Sequence, residues 1–135
     1  MWMRMVAAAA VLVSAAVHLK VWIDAYHGVS VIGPLFLLNV VAGVVIAVLL
    51  VTWRRWVPLF LAAGFGGTTL LAFVIAATVG LFGVHEIWVS TTGITAGVAE
   101  IVALVASLWE LQHEYPWRAE GGLAERLHLR HAAVH

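Results

Sequence analysis

Ile32-Gly-Pro-Leu-Phe-Leu-Leu-Asn-Val-Val-Ala-Gly-Val-Val-Ile-Ala-Val-Leu-Leu-Val-Thr52 carries a single amide side chain, Asn39, and no charge. Its surroundings extend the pattern, because no Asp, Glu, Lys or Arg occurs between Asp24 and Arg54. About 20 helical residues cross a hydrocarbon core about 30 Å thick. Pro34 falls where a first helical turn would sit, a position that tolerates proline because its N–H would be unpaired anyway. Arg54 and Arg55 then stop the run. The segment predicts a transmembrane helix.

The same punctuation recurs on both sides. Charges fall at Arg4, then Lys20 and Asp24, then Arg54 and Arg55, then Glu86, Glu100 and Glu110. The gaps predict four spans, near 5–26, 32–52, 58–83 and 89–112. Pro58 suits the start of the third, and Ser90, Thr91 and Thr92 offer capping oxygens for the fourth. Composition agrees, since the 135 residues are 64% hydrophobic and only 10% charged. So short a chain has too little interior to hide that surplus from water, so the surplus faces lipid. A soluble enzyme and a disordered segment are excluded. So is nucleic acid as a partner, because seven basic residues balance seven acidic ones and leave no basic patch. The absence of cysteine removes disulfides, thiolate metal sites and cysteine nucleophiles.

The expected fold is therefore all-α: a four-helix transmembrane domain over 1–112 and a polar, weakly amphipathic tail over 113–135. Trp2, Trp22, Trp53, Trp56, Trp88 and Trp109 lie at the ends of the predicted spans, where indole sits well among lipid headgroups, and Trp117 lies in the tail. Arg4, Arg54, Arg55, Arg118, Arg126 and Arg130 share one side, with Lys20 the exception. The positive-inside rule then puts both termini in the cytoplasm of a multi-pass plasma-membrane protein. A cleavable signal over residues 1–16, with Ser14-Ala-Ala16 as the cleavage site, is the rival to a first span. Apolar character continues through Val17, Leu19, Val21 and Ile23, which favours the span. In the tail, Leu123 and Leu127 with Glu125, Arg126 and Arg130 suggest a short interfacial helix, interrupted by Gly121 and Gly122.

Lipid does not push helices together, so small residues and polar contacts must hold the bundle. Ser14 and His18 stand four apart in the first span, and Asn39 and Gly43 in the second. The third clusters Gly64, Gly67, Thr68 and Thr69, and the fourth has Gly93 and Gly97 with Glu100 beyond them. The glycines are expected to be packing positions, and Gly64-Phe-Gly-Gly67 marks close packing or a helix break. Glu100 stands out. A carboxylate at bilayer depth must face protein or water, pair with another group, or be neutralised by a proton. Thr68, Thr69, His18 and Asn39 are its candidate partners, in either a proton or cation site or a structural hydrogen-bonded clamp.

His18 has no second histidine at its depth on a facing helix, so a bis-histidine haem is not expected, and no cofactor is predicted. His27, His85, Glu86 and Asp24 gather at the outer ends as weak candidates for a metal, with a solvated polar cap as the alternative. The tail histidines His113, His128, His131 and His135 read as exposed. No GxSxG, HExxH or phosphate loop is present, so the expectation leans away from an enzyme.

His18-Leu-Lys-Val-Trp22, Ile32-Gly-Pro-Leu-Phe-Leu-Leu-Asn39 and Leu81-Phe-Gly-Val-His-Glu86 resemble segments of small four-span membrane proteins of high-GC Gram-positive, actinobacterial bacteria. The resemblance covers roughly residues 5–110; it implies a membrane location and carries no activity with it. Phe36-Leu-Leu-Asn39-Val, Gly64-Phe-Gly-Gly-Thr-Thr69 and Phe73 are more distantly similar to the small four-helix fluoride channels, whose third helix is broken. The paired phenylalanines and first-helix arginine of those channels are missing here, and an ionised Glu100 would repel an anion. The leading expectation is an accessory or structural subunit of a membrane assembly, or a homo-oligomer, with the bilayer and other subunits or itself as partners. A proton or cation transporter using Glu100 and His18 is the alternative, and a quinone- or lipid-binding protein is a third.

Overall fold

A computed structural model describes residues 1–81, 83 and 90–115. Helix α1 runs Trp2–Val21 and continues as one π-helical turn, Trp22–Tyr26. Helices α2, α3 and α4 span Ile32–Thr52, Trp56–Thr78 and Thr91–Glu114. All four are long and apolar enough to cross a membrane. The protein is an all-α, multi-pass membrane bundle. Its termini and the α2–α3 turn share one end, here the terminal end; the α1–α2 and α3–α4 connections share the other, the loop end.

Local chemistry sets the helix ends. The Ser90 hydroxyl accepts the Gly93 N–H at 2.9 Å and caps α4. Pro58 lies in the first turn of α3, which begins at Trp56, two residues before the expected start. Helix α3 also stops at Thr78, five residues short of the expected 83. Gly80 is the reason: it adopts φ 84°, and the N–H groups of Val79 and Gly80 both bond the Ile75 carbonyl at 3.0 Å. Such a left-handed glycine terminates a helix where other residues would be strained. Helix α1 starts at Trp2 rather than 5, and α4 runs to Glu114 rather than 112. The tail beyond residue 115 lies outside the described residues, with Trp117, His128, His131 and His135; so do Trp88, His85 and Glu86 in the α3–α4 connection.

Side-chain size is distributed as lipid requires. Interior positions are small: Ala7, Ala8, Val11, Ser14 and Ala15 on α1 face Ala96, Ala99, Ala103 and Ala106 on α4, all buried. Bulky Leu38, Val41, Val48, Phe60, Leu71, Val98 and Val105 point outward. In a soluble bundle the large residues would fill the core. Here acyl chains solvate them, and alanine lets the backbones approach. Helix α1 packs along both α2 and α4, and α3 packs along α4, whereas α2 and α3 touch sparsely. The tryptophans flank this slab, with Trp2, Trp53, Trp56 and Trp109 exposed and Trp22 half-buried.

The glycines divide. A methyl on Gly43 would stand 2.9 Å from the Ala15 methyl and 3.3 Å from the Phe65 ring, so α1, α2 and α3 converge there. Gly93 is buried at the start of α4. Gly64 and Gly97, by contrast, have open space where a side chain would be, and Gly67 meets only the tip of Leu104 at 3.9 Å. Those three do not bring helices together. Gly66 does: its Cβ would lie 2.7 Å from the Glu100 carbonyl and 3.1 Å from the Leu104 nitrogen. The stretch around it is unbroken helix, so neither a helix break nor the broken third helix of the fluoride channels is present.

Candidate functional site

The site begins with the period of α1. Ser14 and His18 are one turn apart and face α4 at mid-bundle, where Gly66 draws α3 against the Glu100 backbone. The Ser14 hydroxyl donates to Glu100 Oε1 at 3.4 Å. His18 Nδ1 lies 2.8 Å from the Ser14 carbonyl, and since a carbonyl only accepts, that nitrogen carries the hydrogen. His18 Nε2 then sits 3.9 Å from Glu100 Oε1, close enough to pair when the imidazole is protonated. Glu100 is 1% exposed, and its second oxygen, Oε2, is buried with no hydrogen-bond partner among the described residues. A carboxyl so placed leaves an acceptor waiting for a donor.

Glu100 and His18 lie at the inner limit of a cavity of about 300 Å³ in the loop-end half of the bundle. All four helices contribute walls, which are mostly apolar: Val17 from α1, Phe36 from α2, Ala72 and Phe73 from α3, Ala96 from α4. Phe36 is held between two rings, His18 at 5.2 Å and Tyr26 at 4.9 Å between centroids. The π turn carries Tyr26 over α2, and there the Tyr26 carbonyl occupies the space a Cβ on residue 33 would need, so Gly33 has to be glycine. At the mouth, Lys20 and Asp24 form an exposed i,i+4 ion pair. Beyond Glu100 toward the terminal end the bundle is closed by Ala7, Val11, Leu59, Ala103 and Ala106. The cavity is therefore blind.

Other expected site residues take different places. Asn39 donates to the Thr69 hydroxyl at 3.0 Å, tying α2 to α3 across their sparse contact, and Thr69 in turn donates to the Phe65 carbonyl at 2.7 Å. Thr69 lines the cavity; Asn39 is not among the wall residues. Thr68 faces outward and is not a partner of Glu100. Its hydroxyl donates to the Gly64 carbonyl of its own helix at 2.7 Å, which lets a threonine face lipid without an unmet donor. His27 bonds the Ile23 carbonyl at 3.1 Å and lies near Trp22. Among the described residues, no three His, Asp or Glu side chains gather as a metal site would require. His113 is exposed and stacks on Trp109 with centroids 4.4 Å apart.

A second polar cluster, at the terminal end, was not legible as one. Arg4 and Glu110 read as charges that punctuate the spans, yet both are buried, Arg4 at 4% and Glu110 at 5% exposure. Arg4 donates to Glu114 Oε2 at 3.2 Å, to the Arg55 carbonyl at 2.7 Å and to the Trp53 carbonyl at 3.3 Å. Glu110 takes the Met1 amino group, and the Tyr115 hydroxyl donates to the Arg54 carbonyl at 3.0 Å. The available signal was the i,i+4 spacing of Glu110 and Glu114 at the same bundle end as Arg4. Between the two clusters, Ser107 is fully buried, and its hydroxyl has no partner among the described residues.

No protein-family model matches the chain, and neither a curated protein nor a solved structure matches it. What the molecule does has to be read from its own side chains.

Proposed function

We propose that this membrane protein binds a small, largely apolar molecule between its helices, with the polar group of that molecule seated on Glu100 and His18. One observation carries the reading: a blind cavity of about 300 Å³ whose inner limit is a buried carboxyl with an unbonded oxygen. That volume is at the lower end for small-molecule pockets, and apolar walls with a few convergent polar groups are their usual makeup. The positive-inside rule places the mouth on the outer side of the plasma membrane. An accessory or self-associating subunit, the first expectation from the sequence, needs no such cavity.

Extraction in mild detergent, followed by mass spectrometry of the small molecules released, tests the reading. A molecule carried by the wild type and lost from Ala96→Phe, which fills the cavity, supports it. Identical small-molecule content in the two proteins overturns it.

A second reading, proton passage, is favoured by the buried face of α4 that aligns Glu100, Ser107 and Glu110. Reconstituted vesicles then show proton flux that Glu100→Gln abolishes and Ser107→Ala reduces. Vesicles as tight as protein-free controls remove this reading.

A further inference from the structure

We infer that the molecule held in the cavity is an organic amine, a protonated amino group on a body about the size of one aromatic ring. The inference rests on the ligand-binding reading above and adds the chemical class.

Hydrogen-bond accounting comes first. An ionised Glu100 requires a donor at Oε2, and among the described residues the neighbouring Ser14, Thr69 and His18 Nδ1 hydrogens are given elsewhere. The Ser14 hydroxyl is given to Oε1, the Thr69 hydroxyl to the Phe65 carbonyl, and the His18 Nδ1 hydrogen to the Ser14 carbonyl. Among the described residues no protein group supplies that donor, and a ligand seated at the inner end of the cavity beside Glu100 can.

Charge accounting selects among donors. Lys20 and Asp24 at the mouth neutralise each other, both largely exposed. Among the described residues Glu100 is the remaining acidic wall residue, and a carboxyl 1% exposed within a bilayer is ionised only beside a counter-charge. His18 supplies one only when protonated, and from 3.9 Å. An ammonium group on the ligand supplies both the hydrogen and the charge, whereas an alcohol supplies only the hydrogen and a hydrocarbon neither. Shape selects the body: Phe36, Tyr26 and Phe73 give aromatic walls, which suit a ring and attract a cation.

The experiment compares 2-phenylethylamine, 2-phenylethanol and ethylbenzene as ligands of the detergent-purified full chain, by calorimetric titration at neutral pH. They share a ring and differ in the head group. The amine is expected to bind about tenfold or more tightly than the alcohol, as a charged rather than neutral hydrogen bond implies. Glu100→Gln is expected to erase that preference while still binding the alcohol. Equal affinity for amine and alcohol in the wild type, or an amine preference that persists in Glu100→Gln, overturns the amine inference and leaves the cavity reading standing. Should Glu100→Gln fail to fold, the wild-type comparison decides alone. If none of the three binds, or if all three bind Ala96→Phe as well as they bind the wild type, the cavity reading falls with it. Thr92→Phe at the mouth replaces Ala96→Phe should that variant not fold.

Discussion

A Cβ at residue 66 has nowhere to go, because it meets backbone rather than a side-chain tip. Gly66→Ala must therefore part α3 from α4 at the level of Glu100. Overpacking of this kind costs about 1–3 kcal/mol, and the same step pulls the carboxyl away from Ser14. Gly64→Ala, two residues away, adds a methyl to open space in a helix and should be neutral or stabilise by up to about 1 kcal/mol. Unfolding of both variants in mixed detergent micelles, with the wild type alongside, measures the contrast. The sequence showed that α3 has glycines to spare. It could not show which one meets a neighbour, since that depends on how two helices are rotated about their axes. Glu100 was easier to single out, because a charge deep in a span has few places to point, but its hydroxyl donor Ser14 was not among the partners the sequence named. Thr68 was harder to read, because its hydroxyl can be satisfied within its own turn. Arg4 offers a further test at this scale: Arg4→Met leaves two loop carbonyls without their donor and Glu114 with the Met1 amino group alone. With Glu114 partly in water, a loss of about 2 kcal/mol is expected, read from the same unfolding curves.

Helix ends obey rules that can be checked one residue at a time. Ser90 caps α4 as its position suggested, and Ser90→Ala should cost about 1 kcal/mol. Gly80 ends α3 in a conformation that costs an L residue about 1–2 kcal/mol, so Gly80→Ala should destabilise by that order. If thermal unfolding of these two variants in detergent matches the wild type, the ends are not held as described. The start of α4 was legible to within two residues, 91 against the expected 89, because Ser-Thr-Thr offers three capping oxygens of which Ser90 is the one used. The stop of α3 was not, because Leu81 and Phe82 prolong the apolar run past the glycine and imitate a longer span. Both ends bear on the cavity, since Ser90 and Leu81 line it.

The architecture turns on which helices meet. Four apolar segments joined by short links suggest neighbours packed in chain order, yet α2 and α3 touch little while α1 and α4, from opposite ends of the chain, pack along their lengths. Hydropathy locates spans but says nothing about partners, since the interior faces of these helices are mostly alanine and the outward faces mostly valine and leucine, both apolar. The partner information lies in the alanine faces of α1 and α4 and in the opposite charges of Arg4 and Glu114, which match only when the two helices run antiparallel. Such a bundle needs one more fact to define its cavity, the side of the membrane on which it opens. Chain direction puts Gly28 at the loop end and Arg55 at the terminal end, and the arginines cluster with the latter. A chain without cysteine makes the test clean. A cysteine replacing Gly28, where nothing lies within 4 Å of a side chain, should react with an impermeant maleimide added to intact cells. One replacing Arg55 should react only after the membrane is opened. A cysteine at Ala96 in the cavity wall should take a small thiosulfonate reagent from the Gly28 side, and one at Ala103, with 0% exposure, should stay inert. Reaction of the Ala96 cysteine from the Arg55 side alone would invert the cavity, and a ligand would then have to arrive from the cytoplasm.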